Sequence, residues 1–519
     1  MATCGKVFQP FTKKHLFPYT NTVPLGLYYA RTSLLRRKQM KITQSNYQTI
    51  GAPIFRKLSE DQLERMHFAS LEILERTGVR LHLPEAVELL RKAGAEVTGG
   101  NRVRIPASLV EWALSVAPKR VVLANRNGDR VMPLERNNVF YGPGSDCPNI
   151  IDFRTGERRP GTIQDIREGI RVLDALPNID FLMSLNLAGD VDQEFADLYQ
   201  MQAMLSNSTK PILFVTTEFQ GCVHAIEMAE LVAGGAEALR RNPLCALYIN
   251  VTAPLVHNEE SLQKLLFMAE KGLPTTYTPV VLRGANGPIT PAGAVAYANA
   301  GELAGLVIAQ LKRQGAPIIL SGGTQDMLDM SSMLDIYAAP ENRVLCVEMA
   351  HYYGLPIFGL GGCSDSKLPD QQAAAEMSLS LLTETLAGSH LIHDVGYMEG
   401  GLTNSLEMIV MADEIIHWIK RFMQGVVVDD ETLAIDQIDE VGLDDDFLAL
   451  DHTNKHFRQD WYPTLLNRKN YQEWSEAGES SLRQRAKARI EKILDEHKPE
   501  PLPDSTARKI QALIDSVVG

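Results

Sequence analysis

From Leu58 the chain places apolar residues at helical spacing. In LSEDQLERMHFASLEILERTGV, the residues Leu63, Met66, Leu71 and Leu74 share one face, Ser59 stands at an N-cap position and Gly78 at a stop. A second helix is predicted over about 84–93 and a third over about 107–116. The runs RVRIP and RVVLANR between and after them read as strands. Residues 40–137 therefore form a helical N-terminal layer with short strands.

Between 138 and 423 the texture is regular. Short apolar runs rich in β-branched residues alternate with longer helical patterns. The runs are NVFYG (138–142), FLMSLNL (181–187), PILFVT (211–216), ALYINV (246–251), PTTYTPV (274–280), PIILS (317–321), LPIFG (355–359) and HLIHDV (390–395). Helix-like stretches cover 162–175, 192–206, 222–240, 258–271, 291–313, 341–353, 370–388 and 402–423. Eight strand–helix units in series predict a (β/α)8 barrel, with strands buried on both faces. An open doubly wound sheet gives the same alternation, but the count of eight favours closure.

Residues 424–519 begin acidic (Asp429, Asp430, Glu431, then Asp444, Asp445, Asp446) and end in charged helices. Between lies HTNKHFRQDWYPTLLNRKNYQEW, whose aromatics predict an arm packed on the barrel or on a neighbouring subunit. At the other end, residues 1–39 hold seven lysines and arginines and no acid, so they carry +7 and the remainder −20. Pro10, Pro18 and Pro24 interrupt any targeting helix there. The leader is expected to be either a misread start, with Met40 the true beginning, or a targeting segment.

The whole chain has 51 basic and 64 acidic residues, a net charge of −13, which argues against a nucleic-acid or anionic-membrane partner. Mean hydropathy is −0.11, and no uninterrupted apolar run approaches the roughly 20 residues of a membrane span. The six cysteines (Cys4, Cys147, Cys222, Cys245, Cys346, Cys363) are scattered without C-x-x-C or a Cys/His cluster, so neither a disulfide framework nor a structural metal site is predicted, and a reducing cytoplasm is expected.

Familiar motifs fail. Gly359-Leu-Gly-Gly-Cys-Ser364 puts serine at the last glycine of a dinucleotide fingerprint and lacks its acidic partner. There is no G-x-x-x-x-G-K-[ST], no G-x-S-x-G and no H-E-x-x-H. Barrel chemistry belongs at the C-terminal strand ends. Those ends read Tyr141-Gly-Pro-Gly-Ser-Asp146, Asn186, Thr216-Thr-Glu218, Asn250-Val-Thr252, Ser321-Gly-Gly-Thr324, Gly361-Gly-Cys-Ser-Asp365 and His393-Asp-Val-Gly-Tyr397.

Three of these loops are glycine-rich and permit close approach of a large flat partner, although tight turns explain any one glycine. His393 and Asp394 end the eighth strand, where a histidine can titrate or donate. His351 reads as structural. Tyr141, Phe219, Tyr277, Phe358 and Tyr397 lie at or beyond strand ends, where aromatic faces can hold a quaternary ammonium, with core packing the alternative for each singly. The helix starting near Asp370 aims its N-terminus at the mouth and can hold a carboxylate. A lyase or aldolase would need a Schiff-base lysine, and Lys367 is the sole lysine near the rim.

Several stretches together resemble the trimethylamine methyltransferase family: ILERTGVRLHLPEAVELLRKAGAEV, SSMLDIYAAPE (331–341), GLGGCSDSKLPDQQAAAE (359–376), LIHDVGYMEGGLTNSLEMIV (391–410) and the tail HTNKHFRQDWYPTLLNRKNYQEW. The likeness spans residues 45–515. It implies a (β/α)8 barrel whose mouth docks a separate corrinoid protein and passes it a methyl group from a methylated amine. Archaeal trimethylamine members carry pyrrolysine in the barrel, but every position here is an ordinary residue. The non-pyrrolysine members are the better match, and those act on quaternary amines such as glycine betaine.

On that resemblance His393 and Tyr397 are the expected catalytic residues. Tyr141 and Phe358 help hold the cation, Gln372 the carboxylate end, and Gly322, Gly323, Gly361 and Gly362 allow the corrin ring's approach. No cofactor is bound tightly, cobalamin belongs to the partner, and a homo-oligomer is expected. Carnitine, γ-butyrobetaine or proline betaine are alternative substrates, and a non-catalytic corrinoid-protein binder is the alternative of another class.

Overall fold

The computed structural model describes residues 54–321 and 324–519. The basic leader, Gly322 and Gly323 lie outside the described residues. Helix Glu60–Arg76 opens with a capping box in which Ser59 and Gln62 serve each other's backbone donors, and it buries Leu63, Met66, Leu71 and Leu74. Gly78 ends the turn at φ 69°, and a Cβ there would stand 2.4 Å from the Val103 carbonyl oxygen. Helices Pro84–Lys92 and Ala107–Val116 follow. Strand Val79–Leu81 pairs antiparallel with Arg102–Arg104 and parallel with Val256–His257.

The eight predicted runs close into a ring. Strands Phe140–Tyr141, Ile212–Phe214, Cys245–Val251, Thr275–Pro279, Ile318–Ser321, Ile357–Leu360 and Leu391–His393 form one sheet, every pair parallel. The second run enters through a single bridge, Leu182 to Ile212, and through the Asp180 and Phe181 N–H groups donating to the Tyr141 carbonyl. It pairs so little because Leu185 turns left-handed (φ 69°) and Asn186 bridges Cys147 in the neighbouring loop. The fold is a parallel (β/α)8 barrel.

Pleating sends alternate residues to opposite faces. Phe140, Phe181, Met183, Leu213, Ala246, Tyr248, Ile319, Phe358 and Leu391 pack inside. The hairpin Val121–Ala124 and Arg130–Leu134 closes the N-terminal end, adding Val121, Leu123, Met132 and Leu134 to that cluster. The opposite set, including Tyr141, Ile212, Leu247, Tyr277, Ile318 and Ile392, packs against the outer helices.

Those helices are Ile163–Ala175, Ala196–Asn207, Phe219–Ala233, Glu259–Lys271, Pro291–Lys312, Arg343–Tyr353, Gln371–Ala387 and Leu406–Phe422. Three differ from the pattern's prediction, one of them only in starting at Ala196 rather than at 192. The stretch 222–240 is two helices, Phe219–Ala233 and Ala236–Arg241, because Gly234 and Gly235 both take positive φ (90° and 128°). The helix expected from 402 starts at Leu406, since Thr403 and Asn404 pair with Asn149 and Ile150.

Helix Pro291–Lys312 is long and apolar enough on average to cross a membrane, although Asn299, Glu302 and Gln310 interrupt its apolar residues. Its most apolar window is 83% buried between the barrel and the N-terminal layer, so core packing accounts for its composition. Beyond the barrel, Glu414 accepts the N–H groups of Thr464, Leu465 and Leu466 and fixes the chain's return. Helices Leu482–Glu496 and Asp504–Val518 then pack on the outer layer. The five described cysteines are free and buried.

Candidate active site at the strand ends

Three rings from non-adjacent stretches of sequence meet inside the C-terminal half of the barrel. Phe358 and His393 stack with centroids 3.8 Å apart and planes 17° apart. Tyr248, from the fourth strand, lies 4.9 Å from Phe358 and 5.7 Å from His393. Strand parity brings them together: Phe358 and Leu391 share a face in register, and Tyr248 shares one with Thr276 and Ile319. The Tyr248 hydroxyl has Asn250 and Thr278 beside it. Burial raises its pKa, so it stays a neutral phenol at ordinary pH.

His393 is buried, and its Nδ1 lies 2.5 Å from the Gly359 carbonyl oxygen. A carbonyl can only accept, so Nδ1 carries the hydrogen. Burial lowers the imidazole's pKa, which favours the neutral ring and leaves Nε2 as an acceptor. That Nε2 lies 3.6 Å from Asp394 Oδ1.

Two carboxylates stand beside the rings. Asp146 receives hydrogen bonds from Ser184 Oγ (2.9 Å) and Gln200 Nε2 (3.1 Å), and burial raises its pKa. Asp394 is 5% exposed and accepts the Tyr337 hydroxyl. Both aspartates take left-handed backbone conformations, φ 62° and 68°, which non-glycine residues adopt rarely and at a cost of about 1 kcal/mol or more. They fit because the first-strand loop is bare: a Cβ on Gly144 would meet Asp394 Oδ1 at 2.1 Å and the Tyr397 ring at 2.3 Å.

The run SSMLDIYAAPE supplies Tyr337. Asp365 accepts the N–H groups of Tyr337 (3.0 Å) and Ala338 (3.1 Å), while the Arg343 guanidinium lies 5.2 Å from the Tyr337 ring centroid and donates to its carbonyl. Asp365 and Arg343 thus hold the loop with its phenol aimed at Asp394.

The structure places His393 and Phe358 together in the mouth, while Tyr397 packs with Cys147, Leu360, Cys363 and Tyr337 and meets Asp394 over Gly144. The Tyr397 hydroxyl donates to the Leu185 carbonyl at 3.0 Å, so its ring forms a wall while its hydroxyl is engaged. Tyr141 does not reach the mouth. It faces outward, bonding Thr385 Oγ1 at 2.8 Å, with Lys420 5.3 Å from its ring centroid, because Phe140 takes the inward position.

Gln372 also misses the mouth: it is exposed and donates to Glu376 on its own helix at 2.9 Å. The helix end expected to hold a ligand's carboxylate is capped by Asp370, which accepts the Ala373 N–H. Gly361 and Gly362 are buried, and their absent side chains would meet Ile392, Glu384, Leu381 and Val395 at 3.0–3.3 Å. They let strand and helix approach each other rather than admit a ring over the mouth. Gly322 and Gly323 are outside the described residues.

Of the other aromatics, Tyr277 turns outward to His257 (2.8 Å) and Phe219 packs edge-on against Phe267. Lys367 is exposed and donates to the Asp365 carbonyl. Tyr248, Asp146 and Tyr337 carry no assignment in the sequence reading. Tyr248 is recoverable from pleat parity once the register of ALYINV is known. Tyr337 follows from nothing local, since a loop brings it to the eighth strand.

The comparisons with known proteins identify the family. The family profile described as trimethylamine methyltransferase (MTTB) matches residues 30–517. The chain belongs to the trimethylamine methyltransferase family. A trimethylamine methyltransferase MttB of Desulfitobacterium hafniense is 32% identical over 88% of this chain and 93% of its own length. A glycine betaine methyltransferase of the same species is 30% identical over 89% and 97%. Among solved structures, the Methanosarcina barkeri monomethylamine methyltransferase (MtmB) covers 93% of this chain and 92% of its own, at 11% identity and TM-score 0.48. This member of the family is a methyltransferase by those relations. Among the described residues no group of three or more His, Cys, Asp or Glu side chains is placed to hold a metal ion.

Proposed function

We propose that this methyltransferase removes a methyl group from a quaternary amine, glycine betaine foremost, and delivers it to the Co(I) of a corrinoid carried by a separate protein. The observation that carries the reading is the convergence of Tyr248, Phe358 and His393 at the C-terminal end of the barrel. Faces of this kind attract a cation held within about 6 Å of a ring centroid. His393, neutral with its Nδ1 hydrogen engaged, adds no competing positive charge.

The chemistry asks little acid–base work of the protein. A quaternary nitrogen leaves as a neutral tertiary amine, so no proton has to reach it. The chain's residues have to bind the cation, point one N–CH₃ bond out of the mouth and keep water away, a positioning role that supplies much of the barrier reduction in such transfers. The cobalt centre supplies the nucleophile and belongs to the acceptor substrate. A relative of 30% identity named for glycine betaine supports the substrate class.

The test mixes the full chain with chemically reduced cobalamin and follows the visible spectrum. Methylcobalamin formed from glycine betaine, and slower or no formation from trimethylamine and carnitine, is the expected result. Failure to form it from any quaternary amine refutes the proposal. Phe358→Ala and Tyr248→Ala should each raise KM for the amine, because the cation then loses a ring face.

A further inference from the structure

Two buried carboxylates at the mouth lack the partner that buried charges ordinarily need. Among the described residues neither Asp146 nor Asp394 makes a salt bridge with a lysine or arginine. The donors to Asp146 are the neutral side chains of Ser184, Gln200 and Ser145, and the donor to Asp394 is the neutral Tyr337 hydroxyl. A buried charge is costly without an opposite one. The two aspartates also act on shared neighbours: the Tyr248 and Tyr397 hydroxyls each feel both carboxylates.

The buried Arg343 guanidinium is nearby, but its hydrogen bonds go to the Tyr337 carbonyl and Cys363 Sγ rather than to either aspartate. His393 Nε2 faces Asp394 Oδ1 at 3.6 Å as one acceptor facing another. On the barrel's inner face Thr276, in register with Tyr248 and fully buried, has a hydroxyl with no hydrogen-bond partner. Both aspartates hold a backbone conformation that glycine would take freely, so their side chains are retained there against a conformational cost.

We infer that Asp146 and Asp394 together form the counter-charge for a substrate's ammonium group and decide the site's preference for a cation over a neutral molecule of the same shape, with Tyr337 a positioning residue for Asp394. This rests on the proposed reading of the mouth as an amine site and adds the residues that set its charge selectivity. The aromatic faces give the cation its shape-matched wall, and the carboxylates give the sign.

Asp146→Asn and Asp394→Asn test it, since asparagine keeps the volume and tolerates the left-handed backbone while removing the charge. Calorimetry would measure the affinity of the full chain for glycine betaine and for 3,3-dimethylbutyrate, its neutral-headed carbon isostere. The native chain is expected to prefer betaine. Each variant should lose roughly tenfold or more in betaine affinity and little for the isostere, so that the ratio collapses. An unchanged ratio, or an equal loss for both ligands, overturns the inference.

Should either aspartate variant fail to fold, Tyr337→Phe removes only the hydroxyl on Asp394. A shift in the betaine-to-isostere ratio supports the inference, and an unmoved ratio with a folded protein counts against it. Charge-selective binding without any methylcobalamin formation would refute the proposed reaction and leave the carboxylates' role standing. Catalysis that persists with the ratio unaltered in the variants would do the reverse.

Discussion

Replacing Gly144 with alanine puts a methyl carbon where two other groups already are. The ideal Cβ would lie 2.1 Å from Asp394 Oδ1 and 2.3 Å from Tyr397 Cζ, more than 1 Å inside normal carbon contact distance. Neither neighbour yields easily. Tyr397 is tethered by its hydroxyl to the Leu185 carbonyl at 3.0 Å, and Asp394 is set by its left-handed backbone and by the Tyr337 hydroxyl. Gly144 itself has no positive φ, so the substitution tests space rather than backbone conformation. Overpacking of this kind costs about 1–3 kcal/mol. Moving Asp394 and Tyr397 by about 1 Å should also cost up to a hundredfold in kcat, since reacting groups misplaced by that much lose most of their alignment. The assay pairs the urea midpoint with the initial rate of methylcobalamin formation, using Gly425→Ala as control. Gly425 has nothing within 4 Å of a Cβ, so its variant should stay within about 0.5 kcal/mol of the native chain. A Gly144→Ala protein as stable and as fast as the control would refute the account of this loop.

Two further outcomes follow from the same geometry. Gln372→Ala should leave stability within about 0.5 kcal/mol and turnover unchanged, because the side chain is exposed and bonds only Glu376 on its own helix; a large rise in KM would bring it back as a substrate ligand. Acid should unfold the protein through His390, which is 3% exposed, packed 5.4 Å from the His351 ring, and lowered by burial to a pKa of about 3. An unfolded chain takes up that proton near pH 6.5 while the native ring refuses it, so stability falls as pH drops from about 6.5 toward 3, at about 1.4 kcal/mol per unit for this group. Burial lowers the His351 pKa too, adding in the same direction. His390→Gln should flatten the dependence of the urea midpoint on pH over that window, and an unflattened curve would exclude the pair as its source.

Much of the architecture was legible because its causes are local. A capping serine or a β-branched run acts on its own neighbours, so Ser59 and the eight apolar runs carry their meaning in place. Family membership was legible for another reason: many separate motifs occur in one order over most of the length.

The site was only partly legible, since which side of a strand a residue occupies depends on how the ring closes. Tyr141 and Tyr248 look equivalent in the sequence, each an aromatic in a strand, yet one packs on Thr385 outside and the other on Phe358 inside. The glycines were misjudged for a related reason. A missing side chain permits approach by anything, and only the fold says that at Gly361 it is a helix and at Gly144 an aspartate.

The order of strands and helices, their caps, the excess of acid and the kinship were therefore properties of the chain read end to end. What closure of the barrel decided was the meeting of Tyr248, Phe358, His393, Asp146 and Asp394, which are scattered over some 250 positions. Such contacts depend on register and side-chain direction across non-adjacent strands, and no pattern along a single strand contains that information.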